Sequence, residues 1–402
     1  MKKKLLAILL LLCITLCSCS SISGKLNNGS FSETTLEKEK NVEPNVSLEY
    51  KKISFLGAGD NIVYKGTWMD AKQFGAQTGR TYNFQPMYSE VAELIKNADV
   101  SFINQETVMA GEDYALSAYP NFNSPRDLGY DICELGFDVV NIANNHMLDK
   151  GSQGLQNTID FWNTLPITMI GGYDNEADYN NVVIHEKEGI KIALLSYTEM
   201  TNGILPSKKF ETHIPYLNEA NIEEEVAKAK SVSDVVVVSV HWGTEGAFAP
   251  NNYQKNYAKK FADAGVDVVI GHHPHVLQPI EWIEGNNGNK MLCVYSLGNF
   301  NAEQEFDYNM VGGMITFDIV KVGDSRPKIE NVIMIPTVFD HDIGTWRNNK
   351  VYLLENYTEA QANSHGVASY GHRTSLAKLQ GFVKKAISDE FLSDNYKNSL
   401  KK

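Results

Sequence analysis

The chain reads as an α/β protein, an α+β sandwich of two sheets covered by helices, and three observations carry that expectation. Short continuous Val/Ile/Phe runs recur between amphipathic segments, as strands buried on both faces of a sheet do. Five of those runs stop abruptly at polar side chains. Beyond residue 271 the pattern turns to short alternating runs separated by turn residues such as Glu284-Gly285-Asn286-Asn287-Gly288, which read as hairpins.

Taken in order, Met1-Lys2-Lys3-Lys4 followed by Leu5 to Leu12 has the charged and apolar parts of a secretory signal, too short to span a bilayer. Leu16-Cys17-Ser18-Cys19 resembles the bacterial lipobox, which implies cleavage before Cys19 and lipid on its thiol; the plainer alternative is an ordinary cleaved signal. Two acyl chains suffice for stable attachment. Residues 1–18 are therefore expected as signal peptide and 19–50, rich in Ser, Asn, Lys, Glu and Thr, as a lipid-anchored flexible linker. That places the protein at the cell membrane, lipid-anchored on its extracellular face. Losing the first 18 residues removes three lysines and no acid, which takes the net charge from −13 to −16. So acidic a chain is unsuited to nucleic acid, whose binding depends on phosphate neutralisation. Cys133 and Cys293 lie in apolar runs and read as buried thiols, not a disulfide framework.

Residues 51–336 are long enough for one large core. Helical spacing is expected over Tyr88–Asn97, Leu128–Leu135, Leu155–Trp162, Ala220–Lys230 and Tyr253–Ala264. Later strands are expected over Leu277–Ile283, Lys290–Leu297, Gly313–Val322 and Lys328–Ile335. Residues 337–402 read as a C-terminal helical extension, with helices over Val351–Gln361 and Leu376–Leu392.

The ends of the early runs carry the chemistry. Ile53–Leu56 leads to Gly59-Asp60, Val100–Ile103 to Asn104-Gln105-Glu106, and Phe137–Ile142 to Asn144-Asn145-His146. Val235–Val240 ends on His241, and Val266–Ile270 on Gly271-His272-His273-Pro274-His275. In open α/β sheets, ligands bind beyond the carboxyl ends of such strands. Carboxylate, amide and imidazole groups delivered to one edge predict a divalent metal centre, with Mn, Zn or Fe favoured over Ca or Cu. The donor count exceeds one tetrahedral site, so one or two ions are expected, with Glu106 bridging a pair. His272 is expected to point away from the His273/His275 pair. Trp242 is expected to pack beside the site, and His365 is a candidate to close over it from the tail.

The order Gly59-Asp60, Asn104-x-Glu106, Asn144-Asn145-His146-x-x-Asp149-x-Gly151, His241-Trp242-Gly243-x-Glu245, Gly271-x-His273-Pro274-His275 and Tyr295-Ser296-Leu297-Gly298-Asn299-Phe300 resembles the CapA-type poly-γ-glutamate capsule biosynthesis proteins. These are similar to calcineurin-like metallophosphoesterases. The resemblance implies a metallophosphoesterase-like four-layer fold, two mixed sheets flanked by helices. It implies metal ligands at Asp60, Glu106, Asn145, His241, His273 and His275, and a catalytic His146 that contacts the leaving group or transition state. Asp149 either orients His146 or caps the following helix; Glu245 is either a general base or a solvated loop acid. Where metallophosphoesterases generally carry Asp-x-His, Asp60 is followed by Asn61-Ile62, so one ion loses a ligand. The implied role is a hydrolase or transferase in making, exporting or anchoring poly-γ-glutamate or another anionic polymer, alongside membrane synthase subunits. The alternatives are a non-catalytic, metal-containing polymer-binding subunit and a generic metallophosphatase.

Overall fold

The computed structural model describes residues 49–286 and 288–401. The expected signal segment, Cys19 and most of the expected linker lie outside the described residues. Among the described residues, fourteen strands run in chain order as β1 (Tyr50–Asn61), β2 (Val100–Gln105), β3 (Val139–Asn141), β4 (Thr168–Ile170), β5 (Val183–Lys187), β6 (Ile190–Thr198), β7 (Val235–His241), β8 (Val268–His272), β9 (Ile280–Glu284), β10 (Lys290–Val294), β11 (Asn299–Asn301), β12 (Val311–Val322), β13 (Lys328–Asp340) and β14 (Lys350–Leu353). One sheet has the order β14-β13-β12-β1-β2-β3-β4, with β11 also paired to β1; the other has the order β5-β6-β7-β8-β10-β9. Both are mixed. β1 to β4 are parallel, as are β6, β7, β8 and β10, while β12 to β14, β5 and β9 run antiparallel to their neighbours.

The apolar runs explain the layering. Along β7, Val235 and Val237 face the core between the sheets, while Val236, Val238 and Val240 face a second core on the other side. In β8, Val268 and Ile270 point inward and Val269 outward, and in β10 Leu292 and Val294 oppose Met291 and Cys293. A side-chain period of two, buried on both faces, requires a run with no polar break. Each such valine contributes about 1.5–3 kcal/mol by leaving water.

Among the helices, α1 (Lys65–Thr78), α2 (Ala92–Asn97), α3 (Asp127–Leu135), α4 (Gly151–Trp162) and α5 (Glu176–Tyr179) precede α6 (Ile222–Val232) and α7 (Asn252–Ala264). The second core is closed by α6 and α7 through Val226, Ala229, Ala258 and Phe261. α7 starts at a capping box, in which Asn251 and Gln254 satisfy each other's backbone N–H groups, and it ends at Gly265 in the left-handed region. The tail adds α8 (Glu359–Asn363), α9 (Leu376–Ala386) and α10 (Asp394–Ser399). Leu379 and Val383 of α9 join the main core. Among the described residues, no helix is long and apolar enough to cross a membrane.

Several local expectations need correction. The segment expected as a helix from Val351 begins as β14, because Val351 and Tyr352 pair with Phe339 and Val338 of β13. The boundary expected at 336 falls inside β13. The helix expected through Leu392 stops at Ala386 and gives way to a short 3-10 turn at Asp389–Phe391. Cys293 is buried, but Cys133 is only partly so.

Candidate metal centre

β1, β2, β3, β7 and β8 are the strands whose carboxyl ends meet. Their pairing sets Asp60 beside Asn104, Asn104 beside Asn141, and His241 beside His272. Two glycines allow the approach. A Cβ on Gly59 would lie 2.1 Å from the Gly298 carbonyl oxygen, and one on Gly271 would lie 2.0 Å from that of Tyr295. Backbone must touch backbone at both points, so the strand ends can converge.

Asp60 is fully buried. Its Oδ2 accepts from His275 Nδ1 at 3.0 Å and from the His273 backbone N–H at 3.3 Å. Its Oδ1 accepts from Asn104 Nδ2 at 2.8 Å, and His272 Nδ1 lies 3.2 Å away without hydrogen-bond alignment. His241 Nε2 lies 3.0 Å from Asn145 Oδ1 and 3.7 Å from Glu106 Oε1, and His275 Nε2 is 3.6 Å from the same Glu106 oxygen. The His241 and His273 rings are 4.8 Å apart. Donor atoms of Asp60, Glu106 and His241 fall within 4.8 Å of one another, and so do those of Glu245, His273 and His275. All six residues expected as ligands are thus brought together, with Glu245, exposed, at the mouth.

His273 and His275 both sit at positive φ, 96° and 55°, on either side of Pro274. Such conformations are uncommon for residues with a side chain and persist only where the surroundings hold them.

The polar bookkeeping of this cluster does not close among protein groups alone. Glu106 is fully buried, yet neither carboxylate oxygen has a donor, and His241 Nδ1, His273 Nδ1 and both nitrogens of His272 also lack partners. Buried polar atoms are almost always paired, and an unpaired buried carboxylate is costly. A cation among these donors satisfies several at once, so the residues fit a divalent metal.

The titration behaviour agrees. Burial opposes ionisation of Asp60, but contact with His272 and His275 outweighs it and holds the carboxyl well below its usual range. Burial pushes Glu106 well above its usual range, with His275 opposing and Asp60, Glu245 and Asp149 reinforcing. Burial and neighbouring imidazoles push His241 down, and His273 down to about 3. Burial works against the charge on His275, but Glu106 and Asp60 prevail and raise it to about 9. Without metal, His275 is therefore held protonated, with Nδ1 facing Asp60 and Nε2 facing Glu106.

His146 Nδ1 is 2.8 Å from Asp149 Oδ2, which also accepts from the Phe122 backbone N–H at 2.7 Å. Lys150 is the N-cap position of α4 and no side chain caps the helix, so Asp149 orients His146 and does not cap it. Phe122 meets the His146 ring edge-on at 4.8 Å.

Sequence reasoning missed a supporting chain. Ser196 Oγ donates to Asn141 Oδ1, Asn141 Nδ2 to Asn104 Oδ1 at 2.8 Å, and Asn104 Nδ2 to Asp60. It links the second sheet to Asp60 through three strands of the first. His272 does not turn away from the site but meets the same Asp60 carboxylate as His275. Strand alternation puts it on the inward face with Val268 and Ile270, stacked on Phe102 and against Asp60. Asn61, which follows Asp60, is tied to Gln105 and Tyr88. Trp242 is buried and donates to the Tyr295 carbonyl, so it packs beside the site. His365 does not reach the site; its Nε2 lies against the Phe339 carbonyl and its Nδ1 accepts from the Val367 N–H.

Two helix-flanked mixed sheets, with carboxylates, an amide and imidazoles converging at their strand ends, define an α/β protein with a candidate metal centre. The chain belongs to the bacterial capsule synthesis protein PGA_cap family, whose sequence profile matches residues 54–304. It is 33% identical over 266 residues to the PGA biosynthesis protein CapA of Bacillus subtilis (strain 168), covering 60% of this chain and 66% of that one. It is 29% identical over 280 residues to the capsule biosynthesis protein CapA of Bacillus anthracis, covering 67% and 65%. The chain thus spans just under two thirds of the length of these two relatives. Among solved structures it is similar to the calcineurin-like phosphoesterase YfkN from Bacillus subtilis, with a TM-score of 0.43 and 14% identity over 88% of this chain and 99% of that one. It is also similar to the NAD nucleotidase of Haemophilus influenzae, with a TM-score of 0.41 and 12% identity over 88% and 60%.

Proposed function

We propose that this protein is a metal-dependent hydrolase or transferase acting in poly-γ-glutamate capsule synthesis, export or anchoring, tethered outside the cell by lipid on Cys19. The observation that carries the proposal is the set of buried, donor-less oxygens and nitrogens on Glu106, His241 and His273, in a chain of the PGA_cap family. Asp60, Glu106, Asn145, His241, His273 and His275 hold a divalent ion, and the two donor groups around Glu106 and Glu245 accommodate one ion or two. When bound, the metal supplies Lewis-acid polarisation of a substrate oxygen.

The chain's own residues supply the rest. Asp149 accepts a hydrogen bond from His146 Nδ1–H and orients the ring, so that in the doubly protonated imidazole Nε2–H donates to negative charge developing on the substrate. Phe122 packs against the ring and excludes water from one side. Glu245 at the mouth is placed to accept a proton from the incoming nucleophile. Membrane synthase subunits are the partners that this role requires.

A second reading, a metal-containing polymer-binding subunit without turnover, is favoured by one feature. Asn61 and Ile62 stand where an imidazole ligand is expected, and the Asn61 side chain is occupied elsewhere. Metal analysis of the purified protein, with turnover on a phosphodiester panel and on poly-γ-glutamate, separates the readings. Catalysis predicts bound metal, turnover lost in Asp60→Ala, and turnover lost with metal retained in His146→Ala. Protein purified gently without metal overturns both readings, and metal with no turnover leaves the second.

A further inference from the structure

The tail builds something that the family match does not cover. A cavity of about 540 Å³ is lined by Tyr64, Lys65, Tyr119, Glu303, Trp346 and Arg347, with Tyr370 beside them. Trp346, Arg347 and Tyr370 lie beyond residue 304, where the family match ends. The cavity is linked to His146 of the candidate site through two rings. Tyr64 meets Phe122 edge-on at 5.3 Å, and Phe122 meets His146 at 4.8 Å. Tyr64 lines the cavity on one side and meets Phe122 on the other, so its ring stands between the cavity and the Phe122–His146 contact.

The walls have a definite chemistry. Tyr64, Tyr119, Trp346 and Tyr370 give aromatic faces, and Trp346 Nε1 donates to Tyr370 Oη at 3.2 Å. Lys65 and Arg347 are exposed at the rim, and among the described residues neither side chain is in an ion pair. Glu303 lines the cavity as well, and its carboxylate accepts from the Gly66 N–H at 3.1 Å and from Thr67 Oγ1 at 2.9 Å. Burial raises Glu303 to about 8, against those hydrogen bonds, so it carries little negative charge near neutrality. Two unpaired cations beside aromatic faces, in a chain of net charge −13, favour a ligand that alternates carboxylates with methylene stretches.

We infer that this cavity is a substrate subsite that holds a γ-linked acidic chain next to the metal centre, with Lys65 and Arg347 pairing its carboxylates and Tyr64 and Trp346 packing on its methylenes. The inference rests on the poly-γ-glutamate reading and specifies where the chain lies. Metal at the donor cluster and cations at the rim together offset the repulsion between an acidic polymer and an acidic protein.

The test is calorimetric binding of a γ-linked hexaglutamate to the metal-loaded full chain, with α-linked hexaglutamate and a neutral oligosaccharide as comparison ligands. The double variant Lys65→Ala/Arg347→Ala changes only exposed side chains, and it is expected to weaken hexaglutamate binding on the order of tenfold while leaving metal affinity unchanged. Trp346→Ala is expected to weaken it as well. Wild-type binding that the double variant leaves intact but Asp60→Asn abolishes overturns the subsite and keeps the functional reading. Preference for the neutral oligosaccharide overturns the ligand class. No binding of hexaglutamate by the wild-type protein overturns both.

Discussion

Glu106→Gln isolates the charge at the heart of the cluster. The substitution keeps volume and one carbonyl-type oxygen but removes the negative charge that faces His241 Nε2 at 3.7 Å and His275 Nε2 at 3.6 Å. At about 4 Å and an effective dielectric of about 20, one unit charge interacts with another by about 4 kcal/mol, which corresponds to about a thousandfold in affinity. At a metal concentration about a hundred times the wild-type Kd, the wild-type protein gains about 2.7 kcal/mol of stability. An unfolding entropy of about 2.1 cal/mol/K per residue converts that gain into a Tm rise of about 4 °C for a domain of this size. The variant, about a tenth saturated at the same concentration, gains essentially nothing. Metal-free Glu106→Gln is expected to be at least as stable as metal-free wild type, since it no longer buries a donor-less carboxylate. Thermal melts of both proteins with and without metal test this. An equal metal-induced shift in the two proteins would show that Glu106 is not a ligand.

Four further outcomes follow from the same geometry. His275 is raised to about 9 and must lose its proton to bind metal, so metal affinity is expected to tighten about tenfold per pH unit between about 7 and 9, and to level off above; titrations across that range measure it. For the metal-free protein the sign is opposite. A raised histidine stabilises the fold fully below its unfolded value of 6.5 and loses that contribution as pH rises through about 9, so metal-free stability should fall across that interval in pH-dependent denaturation. Asn141→Ala cuts the chain from Ser196 to Asp60 and is expected to weaken metal binding by about 10–100-fold with little change in fold, as calorimetry and circular dichroism would report. Gly59→Ala forces a Cβ to 2.1 Å from the Gly298 oxygen and is expected to lower stability by about 1–3 kcal/mol, read from a denaturant midpoint.

How much of this the residues announce depends on whether local pattern or tertiary pairing decides. β2, β7 and β8 are continuous apolar runs with both faces buried, and their polar ends, with those of β1 and β3, deliver the six expected ligands to one place. α1 carries no such signal. It buries only Thr67, Asp70, Ala71 and Gly75, so it has no apolar stripe to read. β14 lies in a segment whose spacing suits a helix, and only its pairing with β13 makes it a strand. His272 could have been placed by extending the alternation of Val268 and Ile270 one step further. Asn141 lies inside the run Phe137–Ile142, and its role depends on register across three strands, which no single segment encodes. The cavity walled by Trp346 and Arg347 joins residues nearly three hundred positions from Tyr64, and nothing local foreshadows it.

The left-handed histidines around Pro274 have a consequence for how variants should be judged. Each such conformation costs about 1–3 kcal/mol, and glycine would adopt it freely. Replacing His273 with glycine therefore relaxes the backbone at the same stroke that deletes a donor. The two effects oppose each other in a melting curve, so a healthy Tm in that variant says nothing about whether the ion is still held.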